Sequence, residues 1–138
     1  MITYDVLLGV VVSKPVRQPV IAREIFDRLR QATANNPEIL IELCRDYITE
    51  ARTALSQISE ALRRKDSSRL LERAHYLKGS SMMIGAGELS QHCAKLEQMG
   101  RDAELATAEP EYERAAAALK AVENELQQEL GAAVLPSA

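Results

Sequence analysis

The sequence predicts an all-α protein, an antiparallel four-helix bundle preceded by one additional short helix. Aromatic residues make up only 4% of the chain and tryptophan is absent, while Ala, Leu and Glu are abundant, a composition that favours helices over sheets. Residues 38–78 contain neither proline nor glycine, so nothing in that stretch interrupts a helix. Apolar residues also recur at steps of three and four in four longer segments. With 138 residues, the chain has room for one domain with its own core.

The first helix is expected over about residues 19–33, because Ile21, Ile25 and Leu29 repeat at four-residue intervals after a proline. Residues 1–18 precede this pattern and are predicted to form an N-terminal tail or extension. The apolar run from Val6 to Val12 leaves a packed, extended segment open as an alternative.

The second helix begins at Asn36 and Pro37, since Asn caps free amides and Pro suits the first helical position. It reaches about residue 64, where three basic residues, 63–65, complement the negative end of the helix dipole. One apolar stripe runs along it: Cys44, Ile48, Ala51, Leu55, Ile58 and Leu62.

The third helix is capped by residues 66–68 and ends at Gly85, in a tight turn that continues to Gly87. Its stripe is Leu70, Ala74, Leu77, Ser81 and Ile84. The fourth helix carries Leu89, Cys93 and Leu96, and Gly100 is expected to stop it.

The fifth helix is predicted from about residue 108 to Gly131, and its stripe is Tyr112, Ala115, Leu119, Val122, Leu126 and Leu130. The bundle domain therefore occupies residues 19–131, and residues 132–138 are expected to form a C-terminal tail.

Charge and composition bear on the partners and the compartment. The net charge is −3, so nucleic acid and anionic membranes are not expected partners. The apolar run near the start is far shorter than the ~20 residues that span a bilayer, and no basic region precedes it. Cys44 and Cys93 are not spaced for metal or redox chemistry. A cytoplasmic, monomeric protein with two reduced, core-filling thiols is the expectation.

His75 lies on the wrong side of the third helix to belong to the core. Successive helical residues turn by about 100°, which places His75 roughly 140° from the centre of the apolar stripe and toward solvent. Gly79 lies one turn further on, and a helical glycine costs about 0.5–1 kcal/mol relative to alanine, which suggests that another molecule approaches the imidazole closely. The residues that surround His75 by rotation are Ser68, Leu71, Glu72, Lys78, Gly79 and Met82. All of them except Lys78 are predicted to contribute to the binding of a partner.

A carboxylate is expected opposite the imidazole. If the chain folds back around Ala86, His75 and Glu97 both lie eleven residues from the turn. A neutral histidine nucleophile exposes one ring nitrogen and directs the proton on the other toward an acceptor. Glu97 suits that acceptor role, although a solvated helix face is the alternative for this residue.

The residues around His75 also form a specific motif. It reads His-x-Leu-Lys-Gly-Ser-Ser from His75 to Ser81 and is followed by Gly85-Ala86, Leu89, Cys93, Leu96-Glu97 and Gly100-Arg101. With these residues the chain resembles the histidine-containing phosphotransfer (HPt) domain family, from about Ile21 to Arg101 and more loosely through the final helix. A pair of methionines, Met82 and Met83, stands where smaller residues are common in the family, on the expected docking surface.

The resemblance implies a four-helix bundle that shuttles a phosphoryl group between receiver-domain aspartates in a multistep two-component phosphorelay. It implies that His75 is the phosphohistidine, that Lys78 is its basic neighbour, that Gly79 gives access and that Glu97 lies on the adjoining helix. The implied partners are response-regulator receiver domains and a hybrid or sensor histidine kinase. The chain would need no cofactor, with Mg²⁺ expected on the receiver, and it would be a carrier and not an enzyme.

Other functions find less support in the sequence. No Gly-Lys-Ser/Thr phosphate loop is present for a nucleotide enzyme. A metal site from His75, His92, Cys93 and Glu97 is disfavoured because His92 and Cys93 diverge by about 100°. His92 is expected to be a partly buried packing residue. A structural helical interaction module, in which His75 is incidental, is the remaining alternative.

Overall fold

A computed structural model describes residues 2–7, 10–15 and 18–137, with side chains described for 18–137. The elements are β1 (Ile2–Leu7), β2 (Val10–Pro15), α1 (Arg23–Ala32), α2 (Pro37–Arg63), α3 (Ser67–Ile84), α4 (Gly87–Asp102), α5 (Ala108–Leu130) and a short 3₁₀ helix (Ala132–Val134). Helices α2 to α5 form a closed ring in which α3 packs on α2 and α4, and α5 packs on α4 and α2. Helix α1 lies against α2 and α3. The predicted helical bundle with an extra short helix is confirmed.

The N-terminal segment contains a β-hairpin that the sequence pattern did not predict. Strand β1 pairs antiparallel with β2, with Ile2 opposite Pro15 and Leu7 opposite Val10. Residues 2–7 and 10–15 of the segment expected as a tail or extension are therefore a paired, extended structure, while residues 8 and 9 of its apolar run lie outside the described residues.

The ends of α2 and α3 follow local capping chemistry. The side-chain oxygen of Asn36 accepts hydrogen bonds from the backbone N–H of Glu38 (3.0 Å) and of Ile39 (3.4 Å). The side chain of Asp66 accepts from the backbone N–H of Arg69 at 3.0 Å. Helix α3 ends at Gly85, whose φ of 86° lies in the left-handed region where glycine carries no Cβ penalty.

The apolar stripes predict the core closely in the bundle and less well in α1. All five stripe residues of α3 are buried, as are those of α2 and α5 except Leu62, Tyr112 and Leu130, which are half-buried. Helix α1 begins at Arg23, later than expected, and it buries Phe26, whereas Ile25 and Leu29 are half-buried.

Gly100 does not stop α4, which continues to Asp102 and ends where Ala103 adopts a left-handed φ of 52°. Gly100 is buried inside the helix, and a Cβ there would lie 2.7 Å from the backbone nitrogen of Leu71 and 3.0 Å from the carbonyl oxygen of Ser67. The missing side chain lets α4 approach the backbone of α3. The sequence interpretation of Gly100 as a terminator was wrong because glycine serves close packing as well as termination.

The segment expected as a C-terminal tail packs on the bundle. The 3₁₀ helix contacts α2 and α5, and Val134 is fully buried. The guanidinium of Arg45 donates two hydrogen bonds, 2.9 and 2.5 Å long, to the carbonyl oxygen of Ala133. Across the residues that the structure describes, no helix combines the length and apolar character needed to cross a bilayer.

Candidate functional site

His75 projects from the outer face of α3, on the side where helical rotation places it. Its side chain is 69% exposed, whereas Ala74 beside it and Leu77 two positions on are fully buried. The imidazole is therefore fixed to a rigid helix while its ring stays open to a partner molecule.

A buried carboxylate holds the inner nitrogen of this ring. Glu97, on α4, is only 6% exposed in its side chain, and its Oε1 lies 2.8 Å from Nδ1 of His75. An ionised carboxylate can only accept hydrogen bonds, so the neutral imidazole carries its proton on Nδ1. Nε2 is then left with a free lone pair that faces outward. Glu97 is not on a solvated helix face, which was the alternative for this residue.

Two cations share the carboxylate of Glu97. Nζ of Lys78 lies 2.5 Å from Oε2, and Nη2 of Arg101 lies 3.5 Å from Oε1. Burial by itself would raise the pKa of Glu97, but the hydrogen bonds from Lys78 and His75 outweigh it and lower the pKa below the ordinary 4.5. The carboxylate is consequently ionised at neutral pH and can stabilise positive charge that develops on the imidazole.

Gly79 leaves open space beside the ring. Nothing lies within 4 Å of the place where its Cβ would be, so the backbone of α3 is accessible one turn beyond His75. No packing contact within the described part of the chain accounts for a glycine at position 79, in contrast to Gly100, which lies against the backbone of α3.

The other predicted site residues differ in how far they are available. Ser68 and Met82 are exposed, and Leu71 is half-buried. Glu72 is exposed but pairs with Arg69 at 3.0 Å and with Arg73 at 3.3 Å. Glu72 therefore belongs to a surface ion-pair network on α3.

Two contacts between α3 and α4 place Glu97 against His75. One is the turn at Gly85. Counting residues on either side of this turn correctly predicted that Glu97 lies opposite His75. The other is the close approach of Gly100 to Leu71, which sequence reasoning missed. Arg101 belongs to the motif, but no role was predicted for it. Its spacing of four residues from Glu97 is the feature of the sequence that indicates an ion pair on one helix face.

His92 forms a second histidine–carboxylate pair, but in a closed setting. Its Nδ1 lies 2.6 Å from Oε1 of Glu111, and Oε2 of the same carboxylate accepts a hydrogen bond from Nη1 of Arg114 at 2.9 Å. The side chain of His92 is 14% exposed and that of Glu111 is 4% exposed. His92 thus links α4 to α5 as a packing residue, and its carboxylate partner was not predicted. Of the two histidines in the chain, His75 is the one that is open to a partner.

The cysteines lie apart from this site. Cys44 and Cys93 are buried free thiols. Burial raises the pKa of Cys44 to about 11 and that of Cys93 to about 12, so neither is a thiolate at neutral pH. Among the described side chains, no group of three or more His, Cys, Asp or Glu residues is arranged to hold a metal ion.

Comparisons with known proteins point to one family. The sequence model of the Hpt domain matches residues 42–132. The chain is 27% identical over 81 residues to multistep phosphorelay regulator 1 of Schizosaccharomyces pombe, an alignment that covers 58% of this chain and 28% of the relative. The chain thus spans less than a third of that relative's length.

Two solved structures share the fold. The histidine-containing phosphotransfer protein B of Pseudomonas aeruginosa superposes with a TM-score of 0.77 at 24% identity, covering 83% of this chain and 96% of that one. A putative histidine-containing phosphotransfer protein from rice superposes with a TM-score of 0.73 at 19% identity, covering 80% of this chain and 79% of that one.

Proposed function

Because the chain belongs to the Hpt domain family, we propose that it carries a phosphoryl group on His75 between receiver-domain aspartates in a multistep two-component phosphorelay. One observation supports this above all: a 69% exposed imidazole has its inner nitrogen bound to a buried carboxylate. That arrangement leaves one ring nitrogen free and orients it outward.

In the proposed transfer, the lone pair of Nε2 of His75 attacks the phosphorus of an aspartyl phosphate in line with the bond to the aspartate oxygen. The N–P bond forms as that P–O bond breaks, and the aspartate leaves as a carboxylate. The imidazole gains positive charge while Nδ1 keeps its proton, and Glu97 stabilises that charge through the 2.8 Å hydrogen bond. Transfer to a second receiver is the same step in reverse.

The neighbouring residues take supporting roles in this proposal. Lys78 supplies a cation beside the transferring phosphoryl group, and its bond to Oε2 of Glu97 keeps it next to the ring. Gly79 admits the receiver to the helix backbone. The receiver is expected to supply the Mg²⁺ that neutralises the phosphoryl oxygens, and no cofactor is assigned to this chain.

The chain then acts as a phosphocarrier, with a hybrid or sensor histidine kinase upstream and a response regulator downstream. In this proposal ATP is consumed by that kinase, while the carrier supplies a nucleophile, a cation and a docking surface. A cytoplasmic location and a monomeric state are part of the proposal.

The test is transfer from a ³²P-labelled receiver domain to the wild type, His75→Gln and His92→Gln, with folding checked by circular dichroism. The wild type and His92→Gln should acquire acid-labile label, and His75→Gln should acquire none. Label on His75→Gln, or its loss from His92→Gln alone, would overturn the assignment. No label on any of the three proteins would favour the structural interaction module.

The role of Glu97 has its own matched pair of variants. Glu97→Gln keeps an acceptor oxygen and should have a mild effect. Glu97→Leu removes the charge-assisted hydrogen bond, and a loss of ~1.5 kcal/mol would shorten the lifetime of the phosphohistidine about tenfold. A lifetime unchanged in Glu97→Leu would show that another group orients the ring.

A further inference from the structure

One carboxylate of α5 ties both ends of α1 to the bundle. Nη1 of Arg23, the first residue of α1, lies 2.9 Å from Oε1 of Glu129, and its Nη2 lies 3.4 Å from Oε2. Nη2 of Arg30, in the last turn of α1, lies 2.6 Å from the same Oε1. We call these three residues, Arg23, Arg30 and Glu129, the Glu129 cluster.

The Glu129 cluster also covers the apolar anchor of α1. Phe26 is the buried residue of this helix, and Cζ of Arg30 lies 5.0 Å from the centroid of its ring. The side chain of Glu129 is 29% exposed. Hydrogen bonds from Arg23 and Arg30 lower the pKa of Glu129 below the ordinary 4.5, so it is ionised at neutral pH. A shared, partly covered carboxylate contributes more than an isolated surface ion pair.

Helix α1 borders the face of the bundle that carries His75. Ile25 of α1 lines the same surface cavity as Lys78 and Met82 of α3. His75 and its partner Glu97 lie on α3 and α4 instead. Release of α1 would therefore change the surface beside the histidine and leave its hydrogen bond to Glu97 unchanged.

We propose that the Glu129 cluster holds α1 as a releasable element, and that its release lowers transfer from receivers while His75 stays reactive. The inference rests on the proposed phosphocarrier function. Loss of the charge on Glu129 would leave the guanidinium groups of Arg23 and Arg30 without their shared partner, so that repulsion replaces attraction. Salt acts in the same direction, because it screens exposed charges.

Chymotrypsin cleavage after Phe26 measures the release of α1. Phe26 is the one phenylalanine of the chain and is 1% exposed, so cleavage there requires α1 to open. Cleavage after Tyr47, which is buried on α2, reports unfolding of the bundle. The matched variants are Glu129→Gln and Glu125→Gln. Both carboxylates face α1 across one small crevice, but of the two it is Glu129 that accepts the arginine hydrogen bonds.

Glu129→Gln should raise the rate of cleavage after Phe26 about fivefold, and Glu125→Gln should match the wild type. An increase from about 0.1 M to about 1 M NaCl should speed this cleavage in the wild type and change it little in Glu129→Gln. Each rate is divided by that of an unfolded peptide of residues 20–32. Equal rates in the two variants, no response of the wild type to salt, or an equal rise in cleavage after Tyr47 would overturn the proposal.

Reversal of the charge gives a stronger test. Glu129→Arg places a third positive charge beside α1, so cleavage after Phe26 should increase further than in Glu129→Gln. Addition of Arg23→Glu and Arg30→Glu to Glu129→Arg restores opposite charges and should bring cleavage back toward the wild-type rate. No recovery in this charge-swapped variant would show that attraction between the groups does not hold α1.

The effect on transfer is measured with two phosphoryl donors. Phosphoramidate is too small to need docking, and the second donor is the phosphorylated receiver that transfers fastest to the wild type. Glu129→Arg should slow transfer from this receiver at least about threefold and keep wild-type labelling by phosphoramidate. Unchanged transfer from the receiver, or lost labelling by phosphoramidate, would overturn the proposal. A wild type that neither donor labels would instead refute the phosphocarrier function, whereas cleavage after Phe26 would still report on the Glu129 cluster.

Discussion

Replacing Gly100 by alanine should destabilise the protein relative to the same replacement at Gly79. Both glycines lie inside helices, so each change gains up to about 1 kcal/mol of helix propensity. The added Cβ meets nothing within 4 Å at Gly79, but at position 100 it would lie 2.7 Å from the backbone nitrogen of Leu71. The two positions differ in burial and in the clash between α4 and α3, and only the clash opposes the substitution at Gly100.

The expected loss of stability in Gly100→Ala follows from the distance between the added Cβ and the backbone of Leu71. Ordinary contact begins at 3.4 Å, so the helices must separate by about 0.7 Å where the Cβ would otherwise lie at 2.7 Å. The obstructing atoms belong to the backbone of Leu71 and cannot rotate away as a flexible side chain would. Overpacking of this kind costs about 1–3 kcal/mol. The free energy of unfolding of Gly79→Ala should exceed that of the wild type by up to about 1 kcal/mol. That of Gly100→Ala should be about 1–3 kcal/mol lower than that of Gly79→Ala.

Urea unfolding at neutral pH, monitored by circular dichroism, measures both free energies of unfolding. The Gly100→Ala variant should also transfer phosphate more slowly, because separation of α3 from α4 lengthens the contact between His75 and Glu97. If Gly100→Ala gains as much stability as Gly79→Ala, the close approach of the two helices is not a constraint and the argument fails.

Three further predictions concern the carboxylate, the access glycine and the thiols. The pKa of Glu97 in the folded protein lies below the ordinary 4.5, so the unfolded chain binds this proton more readily. The free energy of unfolding of the wild type should therefore fall as the pH drops through that lowered pKa. Glu97→Gln should show a shallower fall in urea titrations from about pH 5 to about pH 3, and equal slopes would count against the lowered pKa. Gly79→Gln should keep or gain stability while transfer from a receiver drops by orders of magnitude, and a variant as fast as wild type would remove the access role. Because burial raises the pKa of Cys44 to about 11 and of Cys93 to about 12, iodoacetamide should alkylate neither thiol in the native protein at about pH 8 and both in urea; rapid native alkylation would contradict their burial.

Much of the fold was predictable because bundle helices bury one continuous stripe. In α3 the stripe from Leu70 to Ile84 is the buried set of the helix, and rotation from it placed His75 outside. The caps at Asn36 and Asp66 were predictable for a similar reason, since the side chain bonds to amides two or three residues away. These features depend on contacts that are local or periodic.

The features that were missed depend on contacts distant in sequence. Gly100 cannot be distinguished from a helix terminator until the backbone of Leu71 is known to lie against it. The burial of Val134 requires α2 and α5 to be in place. The pairing of His92 with Glu111 likewise joins two helices whose relative rotation no single stripe defines.

The bond between the Ala22 amide and the Gly85 carbonyl has a consequence for the protein's dynamics. Within α1, Phe26 is the one buried residue, so this helix has little apolar surface to hold it against the bundle. Segments with few buried contacts open at lower free energies than the rest of the molecule. We expect native-state hydrogen exchange to show the amides of α1 and of Ala22 released together, before those of α3. Each such opening would expose the turn at Gly85 while leaving His75 and Glu97 in place, because these two residues lie on α3 and α4.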